Sequence, residues 1–159
     1  MTYFGFLGLF LVIPIGILTV LTIWDRVRGV EIPSAMRAWP PAVAIFLHVV
    51  IAVLYTTIWD NYLVATRVWW YDPALVTGIT IAYVPIEEYT FFILQPILAG
   101  LLLLFFLRRM RLPAGQPASK GGRVRFGAVA AMTAIWLGSV AQLASGWQSG
   151  IYMGLELVW

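Results

Sequence analysis

The chain has 159 residues, of which 62% are hydrophobic and 11% charged, whereas soluble domains carry about 25% charged residues. That balance excludes a water-soluble globular protein. The formal charge of +3 does not indicate a nucleic-acid surface, because six of the ten Lys and Arg gather between Arg108 and Arg125 with no aromatic residue among them, the pattern of a cytoplasmic loop. Cysteine is absent, which removes disulfides, thiolate catalysis and zinc-thiolate sites.

The apolar residues fall in runs of about 20, the length needed to cross ~30 Å of hydrocarbon. The first span runs from about Tyr3 to Ile23 and contains Pro14 and Gly16, which neighbouring helices make tolerable in a membrane. No basic residue precedes it, and Trp24, Asp25, Arg26 and Arg28 follow it, so it reads as a retained helix and not a cleaved signal. The second span covers about Pro41 to Trp59, opened by Pro40 and Pro41 where missing N–H groups cost little. The aromatic-rich segment Asp60 to Asp72 then reads as an interfacial loop.

The third apolar stretch, Thr77 to Leu107, is longer than one untilted span needs. Pro85 disfavours a helical Val84, so a break and a helix restarting at Pro85 are expected, with Glu87 and Glu88 in its first turn. A fourth span is expected over Val124 to Ala144, followed by the short apolar segment Ile151 to Trp159. The fold class is therefore an all-α polytopic transmembrane helix bundle of about four spans plus the start of a fifth. Three basic residues follow the first span, one the second and six the third, which puts the first and third loops in the cytoplasm and the N-terminus outside. Tyr3-Phe4-Gly5-Phe6 is echoed by Tyr152-Met153-Gly154-Leu155, a short hint of an internal repeat. The expected organisation is a first repeat over 1–111, a basic linker over 112–123, and a fourth span with the start of a second repeat over 124–159.

Glu87 and Glu88 are costly in an apolar body unless protonated, paired or facing a cavity. One reading is that they merely complement a helix N-terminus. The other is chemical. Glu88, Phe91, Phe92 and Gln95 share one helical face, and an acid beside aromatic faces and an amide is the equipment for generating a carbocation away from water. His48 lies on a stripe with Tyr55 and Trp59 and reads either as an interhelical hydrogen-bonding residue or as a proton acceptor in a pocket. One histidine makes no metal site, and no nucleotide or flavin motif is present, so neither a metal nor a cofactor is expected.

The segment PIEEYTFFILQ, with the preceding DNYLVATRVWWYD, resembles the membrane-type lycopene cyclase domain. Pro85, Glu87 and Glu88 match its Pro-x-Glu-Glu core, Phe91, Phe92 and Gln95 the continuation, and Asp60, Asn61 and Tyr62 the upstream piece. The resemblance covers about Thr57 to Arg109 and implies redox-neutral, acid-catalysed cyclisation of the ψ end group of a linear carotenoid at the cell membrane. On that basis Glu87 or Glu88 is the general acid, and Phe91 and Phe92 flank the cation. Gln95, His48, Asp60, Asn61 and Tyr62 line the substrate, and Pro85 has a structural role. Family members occur as two subunits, as a tandem repeat, or fused to a phytoene synthase domain. A single Pro-x-Glu-Glu here implies a second subunit or repeat as partner. The competing class is a small proton-coupled transporter or channel subunit; a retinal protein is disfavoured because the one lysine, Lys120, falls in a loop.

Overall fold

The computed structural model describes residues 1–33, 39–110, 122–147 and 150–158. Four helices are long and apolar enough to cross a membrane: Tyr3–Val27, Pro41–Ala65, Ile86–Arg109 and Val124–Ala144. Large apolar side chains face outward along them, among them Phe46 at 64% exposed, Leu54 at 64% and Ile58 at 75%. A surface of that kind is stable against lipid or further protein and not against water. The all-α membrane bundle read from the sequence is therefore what the chain forms.

The first span is built in three pieces: α1 (Tyr3–Leu7), a π-helical turn (Gly8–Val12) and α2 (Ile13–Val27). Thr2 caps the start, its hydroxyl accepting the Gly5 N–H at 3.2 Å. The π turn lies directly ahead of Pro14, whose missing N–H and ring bulk disrupt the ordinary ladder, and widening the turn accommodates both.

The second span is α3 (Pro41–Ala65), with Pro40 as its cap. It runs past Trp59, so Asp60 to Ala65, expected in an interfacial loop, are helical. The apolar period ends at Trp59, but the backbone continues because the Asn61 amide donates back to the Thr57 carbonyl at 2.7 Å and Leu63 is buried. The helix stops at Thr66, and Arg67 takes a left-handed φ of 59°.

The break expected at Pro85 takes the form of a two-stranded antiparallel hairpin, β1 (Thr80–Ile81) with β2 (Val84–Pro85). Pro85 is the N-cap of α4 (Ile86–Arg109), and Glu87 and Glu88 fall in the first turn. Helix α4 packs against both α2 and α3. At Gly100 it comes so close to α3 that an added Cβ would lie 2.6 Å from Ile45 Cγ1.

Residues Met1–Leu112 form one compact unit and Pro113–Trp159 another. In the second, α5 (Gly122–Ala144) packs on α6 (Ile151–Val158) through Gly154, where an added Cβ would sit 2.8 Å from Leu143 Cδ2. Most of the expected linker 112–123, Lys120 included, lies outside the described residues.

Candidate functional site: an acid pair and an aromatic cleft

The first span, Tyr3–Val27, and α4 run in parallel and are joined at both ends. At one end the Tyr3 hydroxyl donates a hydrogen bond to Glu88 Oε2. At the other, Arg109 grips both oxygens of buried Asp25 at 3.0 and 3.2 Å, and Arg108 reaches Thr22 Oγ1 at 3.1 Å. At 1.5 Å per residue the two joints are about 32 Å apart, close to the ~30 Å of a bilayer's hydrocarbon. Glu88 and Tyr3 thus lie near one membrane face and the arginine pair near the other.

Around Glu88 the structure collects groups from distant parts of the chain. Asp60, on the last turn and a half of α3, is near enough for its charge to act on Glu88. The Tyr71 hydroxyl, in the following loop, donates to Asp60 Oδ2 at 3.5 Å. Burial first, and then the negative charges of Glu88 and Asp60, hold the Tyr71 phenol above its ordinary pKa, so it stays a proton-bearing donor. Beside this cluster opens a cleft of about 380 Å³, lined by Tyr3, Phe6, Trp69, Trp70, Tyr71 and Val76 among others. Tyr3 belongs to both: it is among the residues lining the cleft, and its hydroxyl meets Glu88.

Glu87, one residue away, has different surroundings. It is 1% exposed, and its Oε1 accepts the Thr77 backbone N–H at 2.6 Å, while Oε2 has no hydrogen-bond partner. The remaining sequence candidates divide. Phe92 is buried and meets Tyr89 edge to face with centroids 5.6 Å apart, and Phe91 is half-buried. Asn61 braces the hairpin: its amide donates to the Tyr89 hydroxyl at 3.1 Å and its carbonyl accepts the Tyr83 N–H at 2.9 Å. Pro85 is buried at the helix start. Tyr62 is exposed and stacks on Trp59.

Gln95 is exposed, about 10 Å farther along α4 than Glu88. His48 lies about 18 Å along α3 from Asp60, in an apolar groove with Ala44, Ile45, Pro96, Ala99 and Gly100. The structure therefore does not bring His48 or Gln95 to the acid. Three participants were not singled out in the sequence: Tyr3, Tyr71 and Thr77. Tyr3 was accessible to topology, since an outer N-terminus and an outer start of α4 place Tyr3 and Glu88 at one membrane level. Among the described residues, no three His, Asp or Glu side chains gather as metal ligands.

A bundle of helices long and apolar enough to cross a membrane, with a carboxyl cluster and an aromatic cleft at one end, defines the class as an integral membrane protein. Residues 35–106 match the family described as lycopene cyclase. The chain is 34% identical over 123 residues to the lycopene beta-cyclase of Halobacterium salinarum, covering 77% of this chain and 48% of that protein. It is 34% identical over 115 residues to a bifunctional lycopene cyclase/phytoene synthase of Gibberella fujikuroi, covering 70% of this chain and 19% of that one. A bifunctional relative from Arthroderma gypseum is 43% identical over 70 residues, 44% of this chain and 12% of its own length. No solved structure matches the chain. The matched residues 35–106 include α3, the hairpin and most of α4, so this part of the chain is similar to a lycopene cyclase domain. It spans about half the length of the archaeal relative and a fifth or less of the two fungal ones.

Proposed function

We propose that this chain supplies an acid-catalysed cyclisation site for the end group of a linear carotenoid, working at the cell membrane as an intramolecular lyase or isomerase. A second cyclase-type repeat, on the same polypeptide or on a partner subunit, completes the enzyme. The observation that carries this reading is the Glu88 carboxyl, hydrogen-bonded by Tyr3 at the edge of an aromatic cleft.

Glu88 delivers its proton to the terminal carbon–carbon double bond and leaves a tertiary cation. The neighbouring double bond attacks that cation and closes the ring, moving the positive charge onto a ring carbon. Loss of a proton from an adjacent carbon restores a double bond, so no electrons are gained or lost overall. The rings of Tyr3, Phe6, Trp69, Trp70 and Tyr71 stabilise the cation through their π faces where water is sparse. Asp60, which accepts the Tyr71 hydroxyl, takes the departing proton and releases it to solvent, and Glu88 takes up a fresh proton from solvent before the next cycle. Which adjacent carbon loses the proton sets the ring type.

Glu88→Gln keeps shape and hydrogen bonding but has no proton to give. In lycopene-accumulating cells expressing the complete protein, cyclised pigment read by chromatography should fall by about 10²- to 10⁴-fold, the usual contribution of general acid catalysis. Cyclisation at the wild-type rate would remove Glu88 as the acid and leave it a helix-terminus residue.

A further inference from the structure

We infer that Glu87 is a positioning residue, which fastens the aromatic loop and the N-terminal helix onto α4 and so sets Tyr3 against Glu88. This rests on the reading of Glu88 as the acid. The connections form a closed circuit through three separate parts of the chain. Glu87 Oε1 holds the Thr77 N–H at 2.6 Å. Two residues before Thr77, the Leu75 carbonyl accepts the Tyr3 N–H at 2.8 Å. The Tyr3 side chain then returns to α4 by donating to Glu88. Adjacent glutamates on one helical turn thus hold the two ends of a single loop of contacts: Glu87 holds its backbone end and Glu88 meets its side-chain end.

The geometry gives the two carboxyls different tasks. Side chains one residue apart on a helix point about 100° apart, so both cannot reach one reacting atom. Glu88 faces Tyr3, which lines the cleft, whereas Glu87 is enclosed at 1% exposure against the backbone of the 72–78 segment, and neither it nor Glu88 is among the cleft residues. Leu75 and Val76 line the cleft just ahead of Thr77, so the bond to Glu87 also fixes one wall of it. What Glu87 contributes is an acceptor oxygen for the Thr77 N–H, which a glutamine carbonyl also supplies, more weakly. Among the described residues the buried Oε2 has no partner, so a glutamine amide there gains no acceptor and lowers stability somewhat while the bond to Thr77 is kept.

The test pairs conservative and non-conservative variants of the complete protein. Glu87→Gln should retain most of the cyclisation and the wild-type amide exchange of residues 72–79. Glu87→Ala should lose most of the cyclisation and speed exchange in that segment about tenfold or more, as expected when a buried acceptor is withdrawn. Thr77→Pro removes the donor and leaves Glu87 intact, so it should reproduce the Ala phenotype, and combining the two should add little. If Glu87→Ala fails to accumulate, Thr77→Pro and Glu87→Gln decide the matter alone. Loss of cyclisation in Glu87→Gln with unchanged exchange would overturn the inference, since Glu87 would then act on the reacting atoms. Unchanged exchange in both Glu87→Ala and Thr77→Pro would overturn it too. A fully active Glu88→Gln would instead sink the acid assignment, which separates the two failures.

Discussion

Tyr3 and Glu88 are 85 positions apart in the chain yet share a hydrogen bond at the head of the bundle. The hydroxyl fixes one oxygen of the carboxyl, and Tyr3 is itself part of the cleft lining. Tyr3→Phe keeps the ring and removes only the O–H, so it isolates that contribution. A hydrogen bond of this kind contributes about 1.5–3 kcal/mol, and each 1.36 kcal/mol is tenfold in rate, so cyclisation should slow by roughly 10- to 100-fold. Tyr3→Leu removes the ring as well and should fall further, through lost stabilisation of the cation. A Tyr3→Phe enzyme turning over at the wild-type rate would show that the hydroxyl does not serve the acid. Tyr3 lies outside the 35–106 stretch that matches the family, so residues beyond that stretch also shape the site.

At the scale of elements, the acid site depends on a joint at the far end of the same two helices. Asp25 is buried, and it faces Arg109 at 3.0 Å and Arg108 at 3.8 Å, the latter with only 7% of its side chain exposed. Arg109 is held further by the Phe105 carbonyl at 3.1 Å and by its position over the Phe105 ring. Removing one member of a fully buried pair costs about 3–5 kcal/mol, and the cost here is smaller because the Arg109 side chain is 42% exposed and can turn to solvent. Asp25→Ala should therefore lower the thermal midpoint of the detergent-solubilised protein clearly, and should lower cyclisation as well, since α2 is then free to slide against α4 and carry Tyr3 off Glu88. Asp25→Asn, which keeps one acceptor oxygen for the guanidinium groups but loses the charge, should lie between. Wild-type melting of Asp25→Ala would show that the joint is not what holds the two helices in register.

For the whole molecule, the chief expectation is orientation. The uneven spread of basic residues puts the N-terminus and the 66–79 segment outside, and the loop after α4 inside. With no native cysteine, single-cysteine variants report cleanly. Pro73→Cys should react with an impermeant maleimide in intact cells, and Lys120→Cys only after the cells are opened. The opposite pattern would invert the topology and move the acid cluster to the cytoplasmic face.

Much of the fold was legible from composition and spacing, because a bilayer imposes few solutions. A run of about 20 apolar residues must close its own hydrogen bonds as a helix. Pro85 had to interrupt the long third stretch because its ring excludes a helical Val84, and it did so at the start of α4 with both glutamates in the first turn. The Pro-x-Glu-Glu word likewise marked the acid pair. The sequence could not show that α3 continues to Ala65, because side chain to backbone bonds such as Asn61 to Thr57 carry the helix past its apolar period. Nor could it separate Glu87 from Glu88: neighbouring identical residues differ only in what the fold places opposite each, here the Thr77 backbone for one and the Tyr3 hydroxyl for the other. His48 and Gln95 were sound candidates by residue type and helical face. The tertiary structure places them away from Glu88, since helical periodicity specifies direction around an axis, while distance along it and the identity of the neighbour depend on how the helices pack.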